Sequence, residues 1–315
     1  MDSQSPLYFS GVVAGVCMQS EKSPLVGNAS LEDQWMMNWW YRPWIRSLVG
    51  GCFLVGVLGM YLQTYLSSGE PGILAFMLIG TLILIPLERA IPRHNMEIVR
   101  PQLLTDVFHV VVTSFLSFLP LVFIYPALQF LRIDSLVSLV QSQPQWLQIA
   151  EALFITEFLI YWAHRISHEV DFLWRFHSVH HSVEYLDWVA GERRHPIDGI
   201  YVALFTGVPL LITGFDLVDL LIVGLFNGLW DMTIHANLGW RLKFMDGIWT
   251  TTEYHHWHHS VDRQARDKNY AGALPVMDIM FGTYYLPNDR KPGPYGIDTH
   301  MPKTYLGQLI HPFTS

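Results

Sequence analysis

The run WLQIAEALFITEFLIYWAHRISH (Trp146–His168) decides the fold. Trp146–Ala163 is almost wholly apolar and close to the length of about 20 residues that crosses a bilayer. The pattern then breaks into HRISH, with His164 and His168 spaced i, i+4. On a helix that spacing puts both imidazoles on one face, about a turn apart. A membrane helix ending in paired histidines raises two questions: which other segments span, and which other histidines join these. The run also carries Glu151 and Glu157, and an acid inside a span is costly and functional by default.

Composition supports the membrane reading. The chain is 315 residues, 51% hydrophobic and only 15% charged, where a soluble domain carries about a quarter charged residues. Three more uncharged or nearly uncharged runs approach spanning length: Ser47–Leu66, Pro71–Leu87, and Val107–Leu131 with Pro120 and Pro126 as kinks. A fifth apolar region, Ile200–Trp230, is interrupted at TGFDLVD (Thr213–Asp219). Each half is about 14–15 residues, short of a crossing, so it reads as a re-entrant hairpin; the alternative is two tilted spans. The expected fold is therefore an all-α integral membrane protein. It has about four transmembrane helices plus the half-span hairpin, with a cytoplasmic helical cap holding a histidine-rich dimetal site. Residues 1–46 read as a cytoplasmic lead segment ending in an interfacial aromatic anchor, WMMNWWYRPW (Trp35–Trp44). Residues 47–315 read as a single membrane-embedded domain with its histidine boxes at 164–259.

Two cysteines, Cys17 and Cys52, make neither a disulfide framework nor a four-thiolate cluster. The first residues lack a basic region and a cleavage site, so they do not read as a signal peptide. With four spans, Met1–Arg46, Glu88–Asp106, His164–Gly199 and everything after His235 share one face. They hold three, three, four and eight Lys or Arg, which is 18 of the chain's 19; only Arg132 falls opposite. The positive-inside rule makes that face cytoplasmic.

Eleven of the fifteen histidines lie between His164 and His259. HSVHH gives His177, His180 and His181 at i, i+3, i+4, and HHWHH offers His255, His258 and His259 at the same spacing. Helix geometry alone would equally accept His256; the repeat of spacing leaves His256 as the bystander. His94, His300 and His311 stand alone and read as structural. Three clusters are not core filler, and eight imidazoles exceed the four ligands of one zinc site and suit two metals. Imidazole accepts zinc, copper, nickel and iron alike.

The order H-x-x-x-H, H-x-x-H-H, H-x-x-H-H across membrane spans resembles the fatty acid hydroxylase/sterol desaturase superfamily, bacterial branch. The similarity runs through HRISHEVDFLWRFHSVHHSVEYLDWVAGERRHP (His164–Pro196) and EYHHWHHSVDRQARDKNYAGALPVMDIMFGTYYLP (Glu253–Pro287). It covers roughly Leu104 to Pro287. The resemblance implies a di-iron centre held by His164, His168, His177, His180, His181, His255, His258 and His259. Two further histidines between the boxes, His195 and His235, are candidate ligands. Metal-bound imidazole usually donates its other N–H to a carboxylate or carbonyl. Glu157, seven residues before His164, and Asp231, four before His235, are the expected partners, with Asn227 in line behind. Asp187, Glu192, Glu253 and Asp262 lie near boxes as ordinary charges, and Asn269 is a candidate polar contact to the metals.

The resemblance further implies an enzyme that uses dioxygen and external electrons to hydroxylate a C–H bond of a bilayer lipid. A desaturase or ether-lipid monooxygenase would share the scaffold. A zinc-dependent hydrolase fits less well, because Glu169 follows His168 but no histidine stands at 172 to complete H-E-x-x-H. A metal transporter would place its ligands within the spans. The chain shows no flavin, nicotinamide or ferredoxin motif, so a separate donor is expected: a ferredoxin or small cytochrome with its reductase. Arg193, Arg194, Arg263, Arg266 and Lys268 could dock it. No nucleic-acid partner is expected. The place would be a cell inner membrane if the source is bacterial, with the site and both termini cytoplasmic.

Overall fold

The computed structural model describes residues 80–97 and 99–314. The lead segment, the expected span at Ser47–Leu66 and most of Pro71–Leu87 lie outside the described residues. Those described belong to one compact unit, Gly51–Ser315, and they are helical with no strand among them.

Helix α1 (Ile85–Ala90) follows a π-helical turn at Gly80–Leu84. Helix α2 (Leu103–Phe108) continues through a second π-helical turn, His109–Thr113, into α3 (Ser114–Leu128), which contains Pro120 and Pro126. A π turn breaks the regular hydrogen-bond ladder and often marks a functional position; here it holds the fully buried His109. The chain then bends by 105° into α4 (Asp134–Gln141).

Helix α5 (Gln145–Glu169) has 25 residues. At 1.5 Å per residue it is about 37 Å long, more than the roughly 30 Å of a hydrocarbon core. No proline or glycine interrupts it. The surplus turns at its C-terminal end carry His164 and His168 beyond the apolar part. Only Val170, in extended conformation, separates α5 from α6 (Asp171–His181). That sharp corner folds His177 and His181 back onto His164 and His168. A short α7 (Trp188–Gly191) follows.

The Ile200–Trp230 region differs from expectation. Its arms are α8 (Pro196–Thr213, 18 residues) and α9 (Leu217–His235, 19 residues), and each is long and apolar enough to cross a membrane. The apolar run stops short because both helices extend into polar ends, through Asp198 in α8 and through Asp231 and His235 in α9. With α5 they make three candidate spans among the described residues, or four if the bent pair at Phe123–Gln141 is one. Gly214 turns between the arms at φ 115°, where a Cβ would come 2.6 Å from Val137 Cα. Asp216 and Asp219 then form a reciprocal capping box that starts α9. On the outside Phe123, Phe154, Leu221 and Leu225 are 76%, 54%, 56% and 52% exposed, an apolar surface suited to lipid rather than water.

Helix α8 packs against α3 and α5, and α9 against α5. The C-terminal end of α5, the N-terminal end of α8 and the C-terminal end of α9 therefore meet at one end of the bundle. Three short helices complete that end: α10 (Thr252–His258), packed on α9, α11 (Val276–Phe281) and α12 (Tyr305–Ile310).

Candidate metal centre

The chain brings nine histidines together in two adjoining groups. The first is His164, His168, His177, His181 and His258; the second is His180, His235, His255 and His259. Within each group the ligand nitrogens all lie within 4.8 Å of one another. The two H-x-x-H-H boxes divide reciprocally. The second box sends its i, i+4 pair, His177 and His181, to the first group and His180 to the second. The third box sends His255 and His259 to the second group and His258 to the first. Interleaving of this kind locks the groups side by side, with the His181 and His259 rings stacked at 4.6 Å.

The outer ring nitrogens fix the tautomers. A carbonyl can only accept, so a ring nitrogen facing one carries the proton. His164 Nδ1–H donates to the Tyr270 carbonyl at 2.8 Å and His258 Nδ1–H to the Lys268 carbonyl at 2.7 Å. His235 Nδ1–H donates to the Asp231 carbonyl at 2.7 Å and His180 Nδ1–H to the Arg193 carbonyl at 3.2 Å. His177 Nδ1–H donates to the Asp198 carboxylate at 3.2 Å. Each of these leaves an unprotonated Nε2 facing inward.

Some of those inward nitrogens have no ordinary partner. His164, His177 and His258 Nε2 are buried without a hydrogen bond. His235 Nε2 lies 3.3, 3.1 and 2.8 Å from the Nε2 atoms of His180, His259 and His255. Since Nδ1 holds the one proton of neutral His235, and His180 is fixed the same way, the lone pairs of these two rings face each other. Such convergence is repulsive unless a cation lies between, so the residues present fit a metal in each group. Burial holds the His180, His181, His255 and His259 imidazoles well below their ordinary range, with neighbouring imidazoles adding to it. Burial likewise brings His258 down to about 3. Neutral imidazole is the form that binds metal.

The other sequence candidates fall elsewhere. His195 is in neither group: it caps α8, its Nδ1 accepting from the Ile197 N–H at 3.1 Å while its Nε2–H donates to the Leu309 carbonyl at 3.1 Å. His256 is also outside both groups, between the Tyr295 hydroxyl at 2.7 Å and the carbonyls of His235 and Ala236. Glu157 does not reach His164. Its Oε2 accepts from the N–H groups of Ala273 and Leu274 at 2.5 and 3.1 Å, anchoring the loop that presents the Tyr270 carbonyl. Asp231 serves His235 mainly through its backbone; its carboxylate, 3.6 Å from His235 Nδ1, pairs with Arg194 at 2.5 Å. Asn269 bonds to backbone groups instead. Its amide donates to the Tyr254 and Tyr285 carbonyls at 2.9 and 2.7 Å, and its oxygen accepts from Tyr285 N–H at 2.7 Å. Of the proposed docking cations, Arg193 is buried against Asp106 and Arg194 faces Asp231.

Sequence reasoning missed the residues that support the groups. Asp278 is fully buried and accepts from Tyr254 and Thr283 hydroxyls, both at 2.6 Å, and from the N–H groups of Tyr270 and Ala271. With Glu157 and Asn269 it builds the Lys268–Leu274 loop. Gly191 is required because a methyl there would overlap Cβ and Cγ of His235. His109 donates from Nδ1 to the Arg194 carbonyl and pairs through Nε2 with Gln308, both at 2.8 Å. Backbone carbonyls carry no residue signature, and only Asp198, in the first turn of an apolar helix, was open to discovery by pattern.

The family described as fatty acid hydroxylase matches residues 149–283. An ornithine lipid hydroxylase of Rhizobium tropici is 35% identical over 172 residues, 54% of this chain and 52% of that protein. The human alkylglycerol monooxygenase is 34% identical over 150 residues, 47% of this chain and 32% of its own length. A putative Delta(7)-sterol-C5(6)-desaturase of Arabidopsis thaliana is 32% identical over 146 residues, 45% of this chain and 50% of its own. The chain thus spans about half or less of the curated relatives it matches. No solved structure matches it significantly.

Proposed function

We propose that the histidine-rich part of the chain, whose residues 149–283 match the fatty acid hydroxylase family, belongs to that family, and that the protein is a membrane-embedded di-iron oxygenase that hydroxylates a C–H bond of a lipid. The observation that supports this best is the pair of all-imidazole groups with lone pairs turned inward. Two ferrous ions bound there would supply dioxygen reduction, with the balance R–H + O2 + two electrons + two protons → R–OH + water.

The rest falls to this chain's own residues. His164, His168, His177, His181 and His258 would hold one ion, and His180, His235, His255 and His259 the other. The carbonyls of Lys268, Tyr270, Arg193 and Asp231 keep the proton on Nδ1 and so keep Nε2 free to bind. Seven of the nine residues are buried and His164 and His168 are partly so, which keeps bulk water from the reacting centre. Helices α8 and α9 form one wall of a path by which a lipid enters from the bilayer. The basic bias of the loops supports a cytoplasmic site and cytoplasmic termini, at an inner membrane if the source is bacterial. Electrons come from a separate ferredoxin or small cytochrome. Arg193 and Arg194 are turned inward, so its docking surface falls to more exposed cations such as Arg266.

The test is metal content and oxygen use of the full chain purified in detergent. About two irons per chain, with reductant-dependent dioxygen consumption and a lipid product one oxygen heavier, supports the reading. Stably bound zinc with no dioxygen use under reducing conditions overturns it.

A further inference from the structure

Two short helices at the histidine end of the bundle are turned the wrong way for water. A surface helix in water points its apolar stripe at the core and its polar side outward. In α11, VMDIMF, the one polar residue, Asp278, is completely buried, whereas Val276, Ile279 and Met280, at i, i+3, i+4, form the exposed face. Met280 is 66% exposed. In α12, YLGQLI, the Gln308 amide is completely buried between His109 and the Pro302 carbonyl. Leu306 and Ile310, at i, i+4, are instead 69% and 59% exposed. Neither helix has a charged side chain on its exposed face. Two elements far apart in the chain share one inversion.

Their depth explains it. Phe281 of α11 packs on Phe158, Tyr161 and Trp162 of α5, with ring centroids 6.4, 5.1 and 5.0 Å away. All three lie inside the apolar run Trp146–Ala163. The chain entering α11 is held at the same level, where Glu157 accepts from the N–H groups of Ala273 and Leu274. Glu157 stands seven residues before His164, about 10 Å along α5 from the first histidine box. Irregular backbone is tolerated at membrane depth only where protein groups satisfy it, and the buried Glu157 carboxyl does so here. Arg165 lies over the Trp162 ring at 5.5 Å, and both residue types anchor at the headgroup level. Helix α12 is tied to α2 in the same manner. Its Tyr305 stacks at 5.7 Å on the exposed Phe108, at the first turn of the apolar run Val107–Leu131. Each short helix therefore meets the apolar outer surface of the bundle where an apolar run ends.

We propose that α11 and α12 lie in the membrane interface, with their apolar faces sunk among the acyl chains just below the headgroups. The histidine cap is then half immersed in the bilayer rather than standing above it. The inference rests on the membrane-embedded reading and is independent of the metals and the reaction. Lipid is the partner of both faces, because each is continuous with side chains of a run that is itself apolar. Such helices bind a bilayer through the apolar area they bury in it. A water-soluble donor protein would need the same faces clear of the bilayer.

Two measurements test it. In the first, Met280→Cys and Leu306→Cys are made separately in the full chain with Cys17 and Cys52 replaced by Ala. Each purified protein is labelled with bimane and reconstituted in phosphatidylcholine vesicles. Phe123→Cys, on the apolar outer surface, and Asp298→Cys, at an exposed ion pair, serve as references. Lipid brominated near the headgroup should quench the label at positions 280 and 306. Iodide on both sides should leave those labels bright while quenching the one at 298. Iodide quenching at either 280 or 306 overturns the proposal. Quenching by neither reagent means that a second copy of the chain covers the face, which overturns it too. In the second, the unaltered chain in vesicles is irradiated with phosphatidylcholine carrying a diazirine early in its acyl chain, and mass spectrometry locates the adducts. Adducts in Val276–Phe281 and Tyr305–Ile310, alongside those in Leu221–Leu225 of α9, support the proposal. Adducts in Leu221–Leu225 but missing from either short helix overturn it and leave the membrane-embedded reading standing. No adduct in any of the three segments removes that reading, and the proposal with it.

Discussion

Asn269 sits between the two carbonyls that orient His164 and His258, in left-handed conformation at φ 60°. Its side chain is fully buried and makes three hydrogen bonds. Asn269→Ala removes all three, at ~1 kcal/mol each. It also sets a Cβ residue without local hydrogen bonding in the left-handed region, for ~1 kcal/mol more. The expected loss is about 4 kcal/mol of loop stability. Asn269→Gly avoids the backbone cost and should lose about 3 kcal/mol. Asn269→Asp is the most damaging, because it faces a carboxylate with the Tyr254 and Tyr285 carbonyls. The second histidine group relies instead on the Asp231 and Arg193 carbonyls, so the damage should be one-sided. Loss of such an outer partner weakens metal binding by about 10–100-fold. The assay titrates iron-loaded protein with a chelator and counts the remaining iron by mass spectrometry. The alanine and glycine variants should release one iron at about 10–100-fold lower free chelator than the second. Joint release of both irons, or retention of both at the wild-type chelator level, would refute the claim that the Lys268–Tyr270 loop serves the first group alone.

Gly191→Ala should produce the complementary defect. Its methyl collides with His235, so the second group should lose its metal while the first keeps its own, read by the same titration. His256→Ala should keep both irons, although loss of its buried bonds to Tyr295 and the His235 carbonyl should cost about 1–3 kcal/mol of stability in thermal unfolding; His259→Ala should lose one iron. The metal-free chain should also be acid-sensitive. Burial holds His180, His181, His255, His256, His258 and His259 neutral in the fold, whereas unfolding returns each to about 6.5. Below that pH the unfolded state binds more protons, so stability present above about pH 6.5 falls as pH drops, by up to ~1.4 kcal/mol per pH unit per group. Unfolding midpoints from pH 8 to 5 should fall steeply for the metal-free protein, and the loaded protein should hold out to lower pH.

The histidine groups were legible because helical spacing is a property of the side chains themselves. HRISH and the two H-x-x-H-H boxes fix which rings share a face, and the repeat singled out His256. Their division was not legible: each box straddles two groups, and only the corner at Val170 and the packing of α10 on α9 decide which ring goes where. His195 has the right residue type in the right region, but it stands at a helix start, where its ring caps α8 instead of turning inward. The partners expected at Glu157 and Asp231 were placed by face, but carbonyls took the imidazole protons and left the carboxylates to anchor a loop and an arginine. The α8–α9 arms were under-measured because apolar counting ends at the first polar turn, while the helix does not.

Where metal binds decides whether the two imidazole groups hold one iron each. Anomalous scattering at the iron edge from crystals of the iron-loaded full chain would locate it. Two peaks are expected, one amid His164, His168, His177, His181 and His258 and one amid His180, His235, His255 and His259. A single peak, no peak, or iron bound at His195 or His256 would contradict it.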